Sequence, residues 1–165
     1  MAKFGALRVF LEARLPLILS VAAGYIVFSD YECIKNYEFY KTADFGDLSS
    51  AVANISAIAT GFVMTFYGVV VSSSSDFIAK IKHTPIFLRY ISFLKSAMFA
   101  SFFSSLFSVS FSFLYGTNLW EAPQDRYMLS LWAFVVVYTV LAVTRIIRST
   151  FIVLESKPPK KLGGG

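Results

Sequence analysis

The chain has 165 residues, of which 56% are hydrophobic and 18% aromatic, while only 15% are charged. Soluble domains carry about 25% charged residues, so this composition excludes an ordinary soluble domain. The formal net charge is +5. Four long stretches of the sequence contain no charged residue. The segments between those stretches are too short for a separate folded domain, which usually needs more than about 40 residues.

The four uncharged stretches predict four membrane spans. A helix crosses the roughly 30 Å hydrocarbon core with about 20 apolar residues, within a range of about 17–25. Unsatisfied backbone groups are costly in lipid, so each crossing segment must be helical. The sequence therefore predicts an all-α integral membrane four-helix bundle over residues 15–153, after an N-terminal segment, residues 1–14. The spans are residues 15–29, 48–75, 96–120 and 127–144.

The first stretch shares some features with a cleaved signal peptide. Lys3, Arg8 and Arg14 precede an apolar core, and small residues follow at 22–24. However, the apolar residues 25–28 come after them, whereas the apolar region of a signal peptide ends before its cleavage site. We therefore expect a retained membrane span.

The loop charges predict the orientation. The N-terminus, the 76–95 loop and the C-terminal tail carry twelve Lys/Arg and three Asp/Glu, while the other two loops carry three and seven. Because an excess of Lys and Arg marks cytoplasmic segments, we expect both termini and the 76–95 loop in the cytoplasm.

Helix signals predict that the second and third helices extend beyond the membrane. Asp47 suits an N-cap or first turn, and helical spacing continues to Lys82. Thr84 is a predicted N-cap with Pro85 at the first helical position, which leaves a short turn around His83. The two helices would have about 35 and 31 residues and exceed the bilayer core by about 15 Å or more.

The fourth helix is predicted to continue past Thr144, because Ile146, Ile147 and Phe151 share one side of it. The Lys-Pro-Pro-Lys-Lys segment at 157–161 would end the helix. We expect residues 154–165 to form a disordered basic tail whose last three glycines are an expression linker remnant.

What is missing from the spans argues against several function classes. No ionisable residue lies deep in a span, whereas proton-coupled carriers and pumps rely on such residues. His83 is the only histidine, and no cysteine or histidine cluster accompanies it. No phosphate-binding loop or nucleophile motif is present. We therefore expect no enzyme activity, no cofactor and no metal site.

Small and polar residues recur at helical spacing on two spans. They favour either close helix packing or the lining of a water-filled path between subunits. In the second span the set, called the small-residue face, is Ser50, Asn54, Ala57, Gly61, Thr65, Gly68 and Ser72. In the third span the set, called the serine face, is Ala97, Ser101, Ser104, Ser108 and Ser112.

Six cations lie near the predicted cytoplasmic helix ends, and we call them the basic collar. Their ordinary roles are to set the topology and to attract anionic lipid. Alternatively, they form a binding surface for an acidic partner protein or for an anionic nucleotide or oligonucleotide. The basic collar consists of Lys80, Lys82, Arg89, Lys95, Arg145 and Arg148.

Over nearly its whole length the chain resembles, in architecture, the small four-span membrane subunits of bacterial antiphage defence systems of the Hailong and Kiwa type. The shared features are the size, the inward termini, the lack of a soluble domain and a long hairpin from Ala51 to Tyr115 with a basic turn at 80–89. The resemblance carries over no functional residue. It implies a homo-oligomer, with a tetramer favoured, in the bacterial inner membrane and with a cytoplasmic operon partner or signal.

Two functions follow as hypotheses. The first is an oligomeric pore, a channel-like effector of antiphage defence that a cytoplasmic signal or partner gates. A single copy cannot enclose a wide path, because neighbouring helices pack about 8–10 Å apart, so the pore requires a ring of copies. The second is a non-conducting membrane scaffold or sensor subunit that recruits a cytoplasmic effector protein.

Overall fold

The described parts of the chain are helical. The computed structural model describes residues 2–36, 45–72, 84–116 and 122–155, and those ranges contain no β-strand. This confirms the predicted all-α class. The helices are α1 (Ala2–Ser29), α2 (Tyr31–Asn36), α3 (Phe45–Ser72), α4 (Pro85–Gly116) and α5 (Ala122–Glu155).

Three of the helices are long and apolar enough to cross a membrane. The qualifying segments are Phe45–Ser72 of α3, Phe87–Leu114 of α4 and Gln124–Phe151 of α5, each of 28 residues and so about 42 Å long. The apolar part of α1, Arg14–Ser29, is shorter. The membrane character predicted from composition is therefore supported by three candidate spans, and a fourth crossing by α1 remains a prediction.

The helix ends follow the local sequence signals. The Phe87 N–H donates to the Thr84 hydroxyl at 3.3 Å, and α4 begins at Pro85, so the predicted N-cap is confirmed. Asp47 lies in the first turn of α3. An anion there interacts favourably with the partial positive charge of the helix N-terminus. The predicted continuation of α5 past Thr144 is also confirmed. Residues 154 and 155, predicted to start the disordered tail, instead belong to α5. The predicted extension of α3 to Lys82, the turn around His83 and residues 156–165 lie outside the described residues.

The four long helices pack as a row in the order α3, α4, α5, α1. Each contacts its neighbours in that order, while α3 and α5 touch only marginally and α1 has no substantial contact with α3 or α4. The sequence predicted a four-helix bundle but not which helices are neighbours, and in the structure two successive helices, α1 and α3, make no substantial contact. The row leaves α3 and α1 at its two edges.

The edge helix α1 approaches α5 closely at a glycine. A Cβ on Gly24 would lie 3.2 Å from the Phe134 Cβ and 3.2 Å from the Ser130 carbonyl oxygen. Near the end of α1, the Arg126 Nε–H donates to the Phe28 carbonyl at 2.7 Å. These contacts show that α1 and α5 are antiparallel.

Two apolar clusters hold the row together, one near each end. Near Arg126, Trp132 stacks on Phe111 with ring centroids 5.8 Å apart and meets the edge of Phe45 at 5.8 Å. We call this the Arg126 end. The opposite end, called the Arg145 end, contains a cluster built around the fully buried Leu94. Both clusters join α4 to its two neighbours, so α4 and α5 form the centre of the row.

Candidate functional site

The serine face is buried inside the chain. Ser101, Ser104 and Ser108 have no exposed surface. The Ser56 hydroxyl donates to the Ser104 hydroxyl at 3.2 Å, and the Trp132 Nε1–H donates to Ser108 at 3.0 Å. In the single chain these serines therefore join α4 to both of its neighbours.

Further hydroxyl contacts extend the seam between α3 and α4. The Ser105 hydroxyl donates to the Ala53 carbonyl oxygen at 3.1 Å. Ser112 donates to the Gly46 carbonyl oxygen at 3.4 Å, and its hydroxyl lies 3.4 Å from that of Ser50. The last member of the serine face and the first member of the small-residue face are thus brought together at the Arg126 end.

Apart from Ser50, which lies beside Ser112, the small-residue face points away from the rest of the chain. All seven of its residues are exposed. Added Cβ atoms on Gly61 and Gly68 would meet no atom within 4 Å. The Thr65 and Ser72 hydroxyls donate to carbonyls of their own helix, those of Gly61 and Gly68, at 2.9 and 2.7 Å. This face is therefore open along most of the edge helix α3.

Asn54 is the most polar residue of that open face. Its side chain is exposed. It lies seven residues after Asp47, which places it about 10 Å further along the helix axis. Among the described residues, no side chain or backbone group hydrogen-bonds its amide. A carboxamide surrounded by hydrocarbon is unfavourable without a hydrogen-bond partner.

A deep groove separates α3 from α5 on the other side of α3. Its volume is about 570 Å³, and Leu94 of α4 lies beneath it. The lining is apolar except for Thr150, whose hydroxyl donates to the Ile146 carbonyl at 2.9 Å. The lining residues are Ile55, Ile58, Ala59, Phe62, Val63, Phe66, Leu94, Val143, Ile146, Ile147, Thr150 and Phe151. We call this feature the α3–α5 groove.

The groove continues toward the Arg126 end in a smaller cavity of about 240 Å³ that shares Ile55, Ala59 and Val143 with it. Three hydroxyls line this extension, and all are engaged within the chain; that of Thr144 donates to the Val140 carbonyl at 2.8 Å. Ser56 donates to Ser104, and Thr139 donates to the Val135 carbonyl at 2.9 Å. No described side chain therefore offers the groove an unsatisfied polar group.

The structure brings four members of the basic collar to the Arg145 end. The Tyr90 and Thr150 hydroxyls lie 2.9 Å apart and place the start of α4 beside the end of α5. Consequently Arg89 and Arg148, both exposed, lie at the same end of the row. Lys80 and Lys82 lie outside the described residues, so their positions relative to the others stay a prediction.

The other two described collar residues rest on aromatic rings. The Arg145 guanidinium lies over Phe93 with its Cζ 4.0 Å from the ring centroid. The Lys95 ammonium lies 5.8 Å from the ring centroid of Tyr67. Each cation–π contact stabilises the packing of the charged side chain on the aromatic ring. These pairs are not visible in the sequence, because helical periodicity does not determine which helices are adjacent.

Arg14 lies at the same depth as these two cations. Gly24 of α1 faces Phe134 of α5. Arg14 lies ten residues before Gly24 on α1, and Thr144 lies ten residues after Phe134 on α5. Both are therefore about 15 Å closer to the Arg145 end. The charges of Arg14, Lys95 and Arg145 therefore lie at about the same level, at the Arg145 end of the row.

Arg126 has a structural role that the sequence analysis did not identify. Besides donating to the Phe28 carbonyl, its guanidinium lies 4.0 Å from the Phe28 ring centroid. The Arg126 cation also interacts favourably with the partial negative charge at the C-terminus of α1. In the sequence, Arg126 stands out because the other charged residues of its short loop are all acidic. Its partner Phe28 could not be predicted, because it lies on a helix that is distant in the sequence.

Among the described residues, no three His, Cys, Asp or Glu side chains come together where they could hold a metal ion. No protein-family profile, curated protein or solved structure matches the chain.

Proposed function

We propose that α1, α3, α4 and α5 all cross the membrane, with both chain termini and the Arg145 end in the cytoplasm. Arg126 and Arg145 are 19 residues apart on α5, which corresponds to about 28 Å and matches the roughly 30 Å hydrocarbon core. The Lys/Arg excess at the Arg145 end supports this orientation. The shorter α1 fits because the Arg14 side chain can extend to the headgroups.

In this membrane the chain assembles into a homo-oligomeric pore in which α3 faces the shared axis. The observation that carries this proposal is the open small-residue face of α3. Small residues allow close helix approach, and Asn54 gains partners in water or on a neighbouring copy. Because α3 is an edge helix of the row, several copies can bring their α3 helices together without repacking α4, α5 or α1.

A cytoplasmic signal gates this pore through the basic collar. The four described members of the collar lie on α4 and α5 at the Arg145 end. Subunit symmetry would multiply them, which suits an acidic partner protein or an anionic nucleotide or oligonucleotide. The resemblance to membrane subunits of antiphage defence systems favours four copies, the bacterial inner membrane and an effector role.

The alternative is a non-conducting scaffold or sensor that recruits a cytoplasmic effector. The observation favouring it is the serine face, in which Ser101, Ser104 and Ser108 are fully buried within the chain. If a neighbouring copy packs against the small-residue face equally tightly, no water path remains. The basic collar would then serve as the docking surface.

Recording from purified protein in planar bilayers distinguishes the two functions. We expect unitary conductance from the wild type in the presence of its activating partner or signal. Gly61→Leu should abolish both the oligomer and the conductance, because it fills the small-residue face. Val109→Leu, at an exposed position on α4, is the matched control and should preserve both. An intact oligomer that stays silent under every activating condition would exclude the pore.

The gating proposal needs a separate test. Replacing Lys80, Lys82 and Arg89 together with Gln should weaken partner or signal binding while membrane insertion stays normal. Unchanged activity and unchanged binding in that variant would exclude a role for the basic collar in gating.

A further inference from the structure

The α3–α5 groove has the chemistry of a hydrocarbon-binding site. Its wall residues belong to two helices that are apolar enough to span a membrane. The one polar lining residue, Thr150, already has hydrogen-bond partners in Ile146 and Tyr90. A ligand in this groove thus gains apolar burial and needs no polar group of its own.

The position of the groove matches one leaflet of the bilayer. Its α3 wall runs from Ile55 to Phe66, eleven residues or about 16 Å, which is half of the roughly 30 Å hydrocarbon core. Phe66 precedes Tyr67, the residue beneath the Lys95 ammonium. Along α3 the groove therefore extends from the level of the charged boundary at the Arg145 end to about the middle of the hydrocarbon core. Its α5 wall continues past Arg145 to Phe151, toward the headgroups.

The size of the groove suits a small apolar ligand. Its volume is about 570 Å³. This volume lies within the range of about 300–1,000 Å³ that is typical of pockets for small apolar ligands.

We propose that the α3–α5 groove binds one acyl chain of a phospholipid from the leaflet at the Arg145 end. The acyl chain fills the space between α3 and α5 above Leu94, where those two helices touch only marginally. This inference requires that α3 and α5 cross the membrane, and it holds whether or not the assembly conducts.

Photocrosslinking in vesicles of phosphatidylethanolamine and phosphatidylglycerol tests the proposal. A p-benzoylphenylalanine replaces Phe62 at the groove rim or, as a control, Phe99 on the outer side of α4. Both side chains are exposed, at 74% and 55%. They lie at similar depth, because Val63 and Ala97 share one cluster. After irradiation, intact-mass measurement gives the fraction of protein that carries one phospholipid.

We expect the phospholipid adduct at position 62 to exceed that at position 99 by at least about five-fold, which corresponds to about 1 kcal/mol. Ala59→Trp fills the groove and should reduce the adduct at 62 to the level at 99, whereas Val109→Trp should leave it unchanged. Equal yields at 62 and 99 in the otherwise unaltered chain would overturn the proposal. A covalent protein dimer as the main product at 62 would also overturn it, because a second copy would then occupy the groove.

Discussion

Ser56 donates a 3.2 Å hydrogen bond to Ser104, whereas Gly61, five residues further along the same helix, faces away with no atom within 4 Å of an added Cβ. The helix α3 therefore carries small and polar residues on two sides with different environments. One side is closed by α4 within the chain, and the other is open.

Ser104→Leu should destabilise the folded chain by about 1–3 kcal/mol, because the larger side chain must enter a fully packed contact. Ser104→Ala should cost less, about 1 kcal/mol, from the lost partner of Ser56. Denaturant titration in detergent, followed by circular dichroism, measures both. Ser110→Leu, at an exposed position on α4, is the control, and an equal loss there would contradict the division.

Gly24→Leu should separate α1 from α5, because even a Cβ at this position would lie 3.2 Å from Phe134 and Ser130 atoms. We expect a loss of about 1–3 kcal/mol in the free energy of unfolding. Gly61→Leu should leave that free energy unchanged under conditions that keep the protein monomeric. A stable Gly24→Leu chain with an unchanged α1–α5 distance, measured between spin labels, would contradict the close approach.

Thr65→Cys should react with a charged methanethiosulfonate reagent if the small-residue face lines water. The exposed Cys33 is first replaced by Ser, so that the new thiol alone reports. Ser104→Cys in the same background should remain unmodified, because its position is fully buried. Modification is followed by mass spectrometry in the conducting assembly. An unreactive Thr65→Cys in an open channel would show that this face does not line the water path.

Arg126→Gln should loosen the Arg126 end of the α1–α5 contact. The guanidinium both donates to the Phe28 carbonyl and stacks on its ring, so we expect a loss of about 1–3 kcal/mol. Amide hydrogen exchange in the last turn of α1 should become faster. Arg89→Gln removes an exposed arginine and should change neither property, while Arg126→Lys should give an intermediate result.

Local signals in the sequence were sufficient for the helices themselves. Thr84 followed by Pro85 predicted the start of α4, because a hydroxyl cap and a residue without an N–H both suit a helix N-terminus. The spacing of the small-residue face and of the serine face was equally visible, since helical periodicity alone determines which residues share a side. These features depend on residues within a few positions of one another.

The sequence by itself thus determined the all-helical class and two polar faces. It predicted four membrane spans, of which the structure supports three by length and apolarity. Only the tertiary structure decided that the serine face is buried, that the small-residue face is open and that a groove separates α3 from α5. The physical reason is that Ser101 and Gly61 differ little in local preference. Their environments depend on which helices are neighbours, and that depends on contacts such as Gly24 with Phe134 and Trp132 with Ser108, between residues far apart in the sequence.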